Sequence, residues 1–359
     1  MAWLFLGLLV RVRRIGFALF GRTRTVDTII YKADRLGDWF LAEPTVERIV
    51  DSARRRGGSV VVWAAEEGDA ARAWRPPAFE VETFSLEPKG VSAKFRRALA
   101  VAGLLARYRA RAFVSLRHSP EPVRDFVLDQ VEASERHALS WLIYDGPPAS
   151  VPHEIARHEA ILRGLGIPSP GAPALLPRIG GWSGEASRDV VVTPYSSSAC
   201  KDWEDGRWRE IIELLFRKGF RVEVWVGPGQ RKRAQDLLSG LALGGPGSGA
   251  VVKTGTLGDL ALAIGTARLV LTVDTVTAHL AASIDAPMVC LLGGGQYGDF
   301  GPWGSSPRQR WVTQVLSCYG CDWRCTRPTV ECLLTIATSR VASEVETALA
   351  APVAEGRPD

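Results

Sequence analysis

"LGDLALAIGTARLVLTVDTVTAHLAASIDAPMVCLLGG", residues 257–294, decides the fold. Leu257, Leu260, Ala261 and Ile264 recur at helical spacing and give one helix its apolar face. "ARLVLTV" is a short β-branched run, the pattern of a strand covered on both sides. "DTVTAHLAAS" opens a second helix, and "APMVCLLG" is a second strand. Strands joined by helical crossovers build a parallel sheet.

The same alternation extends upstream. "DVVVTP" reads as a strand. Trp208, Ile211, Ile212 and Leu215 mark a helix in "GRWREIIELLFRKG". "FRVEVWVG" is a strand, a helix follows over Arg231 to Leu238, and "GAVVKTG" is a strand. Residues 189–335 are therefore expected to form a doubly wound α/β domain of five parallel strands. A helix and tail follow over 336–359. Before this domain, residues 169–188 are dominated by proline, glycine and serine and predict a linker. Residues 26–168 predict a second α/β domain. "TVDTIIY", "SVVVWA" and "ARAFVSL" are its strands, and "PTVERIVDSARRR" and "HEIARHEAILRGLGI" its helices. Two such domains are expected to leave a cleft between the carboxyl ends of their sheets, where ligands of open α/β sheets bind.

The bulk properties agree. A chain of 359 residues suits two domains, and 46% hydrophobic with 23% charged residues suits a folded one. A net charge of +5 fits an anionic ligand or membrane surface. No lysine- or arginine-rich tract is interleaved with aromatics, so nucleic acid is not an expected partner.

Residues 1–25 stand apart. "MAWLFLGLLVRVRRIGFALFGRTR" places Arg11, Arg13 and Arg14 in the middle of its apolar residues. That interruption argues against a span, which needs roughly 20 mostly apolar residues. A secretory signal carries its charges before the apolar run, and none are there. Two readings remain for residues 3–20. One is a helix in the membrane interface, arginines at the headgroups; the other is a helix packed on the protein's own body. The protein is expected in the cytoplasm, peripheral to the inner face on the first reading.

Charge gathers where strands hand over to helices. In "YKADRLGDWFLAEPTVERI", Lys32, Arg35 and Asp38 follow the first strand, and Gly37 lets the backbone turn or approach a ligand. Asp38 reads either as an N-cap just before a helix or as a general base. Arg35 suits an anion. Arg117 and His118 end a neighbouring strand. In "TPYSSSACKDW", Ser196, Ser197 and Ser198 offer hydroxyl and amide donors and Lys201 a compact positive charge, a set that suits phosphate. Asp274 and Thr275 sit at a strand end and a helix start, where amides and dipole favour anions. His279, one turn further on, reads as a packing residue or a ligand contact.

"RLGDWFLAEPTVERI", "PYSSSACKDWEDGRWREIIELLFRKGFRVEVWVG" and the opening stretch, in this order, resemble glycosyltransferase family 9, the ADP-heptose:lipopolysaccharide heptosyltransferases. "PHEIARHEAILRGLGIP" is similar too. The resemblance implies a GT-B fold of two Rossmann-like domains. It implies an inverting transferase that needs no metal and takes a nucleotide-diphosphate sugar as co-substrate. The acceptor is then a lipopolysaccharide core or other glycan, held by the N-terminal domain. Asp38 falls on the family's base. Ser196, Ser197, Ser198, Lys201, Gly227, Asp274, Thr275, Val276 and His279 fall on the donor side, and Lys32, Arg35, Arg117 and His118 on the acceptor side. Two features depart from the family: Val276 stands where glycine is usual, and "GGGQYGDFGPWG" follows the last strand. Competing readings are a sugar-nucleotide epimerase, which needs further carboxylates at the sugar, and an inactive binding homologue.

Cys318, Cys321, Cys325 and Cys332 form C-x2-C-x3-C-x6-C. This spacing fits a thiolate metal site, or else reduced thiols or a disulfide packing the tail.

Overall fold

The computed structural model describes residues 8, 10–12, 15–16, 23–32, 36–65, 80–84, 105–117, 128, 130–138, 154–169, 189–241, 249–303 and 306–351. The chain divides into two compact units, Met1–Leu176 and Pro177–Asp359. Apart from Ser169, the expected linker 169–188 lies outside the described residues.

In the first unit, β1 (Arg24–Lys32), β2 (Val60–Ala65), β3 (Glu80–Phe84), β4 (Tyr108–Ser115) and β5 (Glu132–Ala138) form one sheet in the order β3-β2-β1-β4-β5. Every pair is parallel. Two of these strands escaped the sequence reading. β5, "EASERHA", carries three charged residues and a histidine, and all but its last residue are half-buried or exposed. It is an edge strand, and edge strands lack the continuous apolar run used to recognise buried ones. β3, "EVETF", is the opposite edge and is similarly polar.

The first helix, α1 (Leu36–Arg55), starts eight residues before the predicted "PTVERIVDSARRR" and contains Pro44. Proline lacks an amide donor and usually ends or kinks a helix, which is why the earlier turns went unseen. Their burial explains why they form: Trp39, Phe40, Leu41 and Ala42 are buried, as are Val46, Ile49 and Val50 on later turns. α2 (Glu154–Gly164) packs beside α1 and closes the unit.

In the second unit, β6 (Asp189–Thr193), β7 (Arg221–Trp225), β8 (Gly249–Lys253), β9 (Leu269–Val273), β10 (Met288–Leu291) and β11 (Gln309–Val312) give a parallel sheet ordered β11-β10-β9-β6-β7-β8. The sheet thus has six strands rather than five. The sixth, "QRWV", is a short edge with a single buried residue, Val312. The helices are α3 (Asp205–Arg217), α4 (Arg231–Leu238), α5 (Leu257–Thr266), α6 (Val276–Ser283), α7 (Glu331–Leu334) and α8 (Thr338–Ala350). α3 buries Trp208, Ile211, Ile212 and Leu215, the spacing read from sequence. Each such side chain contributes about 1.5–3 kcal/mol on burial. Trp208 meets Trp203 edge-on at 5.4 Å. α5 is fixed at its start by a capping box, in which Thr256 accepts from the Asp259 amide and Asp259 from the Thr256 amide.

Strand order locates the sites. In the first unit the chain runs from β1 outward to β3, then returns to β4 beside β1 and runs outward the other way. In the second it does the same from β6 and from β9. Each switch leaves a crevice at the carboxyl ends of the two central strands, the place ligands bind in open α/β sheets.

Candidate active site

In the second unit, the switch point brings together the loops after β6 and β9. β9 is buried throughout and ends at Val273. Asp274, 5% exposed, follows at the strand end. Thr275 is the N-cap of α6, and its hydroxyl accepts from the Thr277 amide at 3.3 Å. Val276 is the first helical residue, so its β-branched side chain stands at the helix start where the resembling family has glycine. His279 is buried, accepts a hydrogen bond on Nδ1 from the Trp303 indole at 2.9 Å and packs against that ring. This is the packing reading of His279.

Across from β9, the loop after β6 is held by its own polar groups. The Ser196 amide donates to Asp202 at 2.7 Å, and the Ser196 hydroxyl bonds Ser198 on both its carbonyl and its amide. The Ser198 hydroxyl pairs with the Cys200 thiol. Ser197 is exposed at the loop tip. Asp202 also accepts from Arg233, whose guanidinium lies 3.8 Å from the centre of the Tyr195 ring. A 3₁₀ turn, Ala199–Lys201, then delivers Lys201, whose ammonium reaches Asp274 at 2.8 Å. Lys201 and Asp274 are 73 residues apart in sequence and meet only because β6 and β9 are neighbours.

Two residues of this site carried no weight in the sequence. Gln230, just before α4, donates to the Ser196 carbonyl at 2.7 Å and accepts from the Gly227 amide at 3.0 Å. It ties the serine loop to the turn after β7. Its one signal was a polar side chain ending the turn "GPGQ". Trp323 lies with Lys201 over its ring at 5.1 Å and is taken up below.

In the first unit, Asp38 is partly exposed in the first turn of α1. It is not the cap expected just before a helix, because the helix begins at Leu36. A carboxylate in a first turn is favoured by the helix dipole. Lys32 departs from the expected acceptor contact. It ends β1 fully buried, with its ammonium on Glu154 of α2 at 3.1 Å and on the Leu116 carbonyl at 3.2 Å. His158 Nε2 is 3.3 Å from the same carboxylate. A lysine at the end of a buried parallel strand meets protein rather than solvent, and needs a carboxylate there. Arg117 is partly exposed two residues beyond β4, at the carboxyl edge adjoining β1. Arg35 and His118 lie outside the described residues.

Cys318, Cys321, Cys325 and Cys332 are free thiols. Among the described residues, no group of three or more histidine, cysteine, aspartate or glutamate side chains is arranged to hold a metal ion. Burial pushes the Cys332 thiol above its ordinary value, partly offset by the hydrogen bond it accepts from the Gly294 amide at 3.3 Å.

Two Rossmann-like units, each a doubly wound parallel sheet with helices, make a GT-B fold. Residues 176–322 match the family model "Glycosyltransferase family 9 (heptosyltransferase)". Lipopolysaccharide heptosyltransferase 1 of Pseudomonas aeruginosa is 31% identical over 168 residues, 42% of this chain and 45% of that protein. The chain thus spans about half the length of this curated relative in the matched stretch. Lipopolysaccharide heptosyltransferase 1 of Salmonella typhimurium is 24% identical over 77% of this chain and 92% of its own. The solved E. coli heptosyltransferase WaaC with ADP-2-deoxy-2-fluoro heptose shares the fold at a TM-score of 0.61 and 18% identity, over 89% of this chain and 99% of that one.

Proposed function

We propose that this protein is an inverting glycosyltransferase. It moves a heptose-like sugar from a nucleotide-diphosphate donor, ADP-heptose by analogy with its relatives, to a lipopolysaccharide core or related surface glycan. One observation carries the reading: Lys201 and Asp274 pair at 2.8 Å beside the N-cap Thr275, at the switch point of the second sheet. A cation next to the amides of a helix start is a diphosphate site.

In this reading Asp38 is the general base. It takes the proton of an acceptor hydroxyl as that oxygen bonds to the anomeric carbon. The bond from that carbon to the diphosphate oxygen breaks, and the diphosphate leaves with the electron pair. Lys201, the serine loop and the amides at the start of α6 stabilise the charge that develops on it. Asp274 orients Lys201 and holds it at the crevice until the donor arrives. Arg117, at the carboxyl edge of the first sheet, is assigned to the acceptor, as are Arg35 and His118. Lys32 instead pairs with Glu154 inside the first unit.

The N-terminal segment is proposed to lie on an anionic membrane surface. Leu8, Val12 and Ile15 are 60%, 58% and 60% exposed at helical spacing, beside the exposed Arg11. An exposed apolar stripe with an arginine beside it suits a headgroup boundary. No described helix is long and apolar enough to cross a membrane.

Titration of ADP tests the donor half of this reading. Lys201→Ala should weaken ADP and slow transfer from ADP-heptose, with a combined loss in kcat/KM on the order of 2–4 kcal/mol, and should leave adenosine binding unchanged. Equal ADP affinity in variant and wild type would overturn the phosphate assignment.

A further inference from the structure

We propose that Trp323 is a positioning residue for the donor diphosphate, acting through Lys201, and that the cysteine-bearing segment exists in part to hold it there. This rests on the phosphate reading of Lys201 given above.

The segment between β11 and α7 folds back onto the glycines that follow β10. The Gly320 amide donates to the Gly294 carbonyl at 2.8 Å and the Asp322 amide to the Gly295 carbonyl at 2.7 Å. Gln296 donates to the Asp322 carboxylate at 3.1 Å, and Cys332 receives the Gly294 amide. Thus backbone, side chain and thiol all clamp one short stretch. Asp322 and Trp323 sit at φ 49° and 60°, a left-handed conformation uncommon outside glycine. Consecutive non-glycine residues in that region persist only where their surroundings over-determine them.

What the conformation achieves is the placement of one ring. A Cβ added at Gly295 would lie 2.3 Å from the Trp323 indole, and one at Gly293 would lie 2.7 Å from it. The three-glycine run therefore lets the indole lie directly against the backbone. The ring packs against the core of the second unit and also faces Lys201, whose ammonium is 5.1 Å from its centroid. Lys201 thus has two partners of different kind. Asp274 offers a charge that competes with phosphate for the same protons. The indole face attracts the cation without occupying its hydrogen bonds. When a diphosphate takes the place of Asp274 as acceptor, the ring still fixes where the ammonium stands. Tyr319 supports the arrangement from the same segment, packing where a side chain at Gly294 would be.

The experiment measures ADP and adenosine affinity by calorimetry for wild type, Lys201→Ala, Trp323→Leu, Trp323→Phe and the Lys201→Ala/Trp323→Leu double variant. Trp323→Leu should weaken ADP about 3- to 30-fold, the range of a cation–π contact, with adenosine unchanged. Trp323→Phe, which keeps a ring face, should retain most of the affinity. The double variant should bind ADP no more weakly than Lys201→Ala, because the ring acts through the ammonium. Gly295→Ala, which displaces the ring without altering it, should reproduce the Trp323→Leu loss. Trp323→Met fills similar space without a π face and repeats the test should the leucine variant not fold. A Lys201→Ala loss with unchanged affinity in Trp323→Leu or Trp323→Met overturns this inference alone. So does a double variant showing the full product of both losses. Wild-type ADP affinity in Lys201→Ala overturns the phosphate reading and this inference with it.

Discussion

Removing one partner of the Lys32–Glu154 pair should destabilise the first unit far more than removing both. The ammonium and carboxylate are 3.1 Å apart with both side chains fully buried. At that distance and an effective dielectric of about 20, their gross attraction is about 5 kcal/mol. Desolvating two ions costs a similar amount, so the intact pair contributes little net stability. A single removal keeps one desolvation cost and loses the attraction, for about 3–5 kcal/mol. Arg157, 3.5 Å from the other carboxylate oxygen, offsets part of that for Glu154. Lys32→Met should therefore fall near the lower end and Glu154→Gln, which strands the ammonium, near the upper. Lys32→Met/Glu154→Leu should return to within about 1–2 kcal/mol of wild type, since an apolar pair has no charge to desolvate. Urea unfolding followed by tryptophan fluorescence reads these differences, with Trp39 and Trp63 buried in the same unit. Single variants costing less than about 1 kcal/mol, or a double variant equal to the sum of the singles, would refute the reasoning.

Asp38→Asn should cut turnover by about 10² to 10⁴ while ADP affinity stays near wild type; turnover close to wild type would remove Asp38 from the role of base. Deleting residues 3–20 should release the protein from phosphatidylglycerol vesicles and leave its activity on soluble acceptors intact, and equal vesicle binding by both forms would defeat the membrane assignment. Asp27 supplies a pH dependence. Burial raises its carboxyl, but hydrogen bonds from Arg111, Arg56 and Thr28 outweigh that and hold it well below the ordinary carboxylate range. Its stabilisation is therefore full above the unfolded value of about 4 and is lost as pH falls through the lower folded value. The stability deficit of Asp27→Asn should be constant from about pH 7 to 5 and shrink below about pH 4, where a deficit independent of pH would contradict the assignment.

How much of this was legible follows from what each residue faces. Strands buried on both sides announce themselves as apolar runs, so β1, β2, β4, β6, β9 and β10 were readable from one sequence. β3, β5 and β11 lie at sheet edges, where charge is tolerated. "EASERHA" cannot be told from a loop without knowing that β4 waits beside it. The early turns of α1 were hidden by Pro44, although Trp39, Phe40 and Leu41 could have signalled a buried segment.

The site divides along the same line. Asp274 and Thr275 were legible because strand end and helix cap are local events, fixed by residues within one turn. Lys201 was legible as a charge in a loop, but its partner was not, because only strand order brings the two together. The same holds more strongly for Lys32. Its position after a strand pointed to a ligand contact, and only Glu154, 122 residues away, makes it a buried structural ion instead. Trp323 is the extreme case. Nothing local distinguishes it from the chain's other tryptophans, and its place depends on a fold-back onto Gly293–Gly295, an aromatic ring where any side chain would collide. The resemblance to a transferase family identified the parts common to many such chains. Trp323, in the C-terminal segment, had to come from geometry, and it is there that the proposed grip on the donor is to be sought.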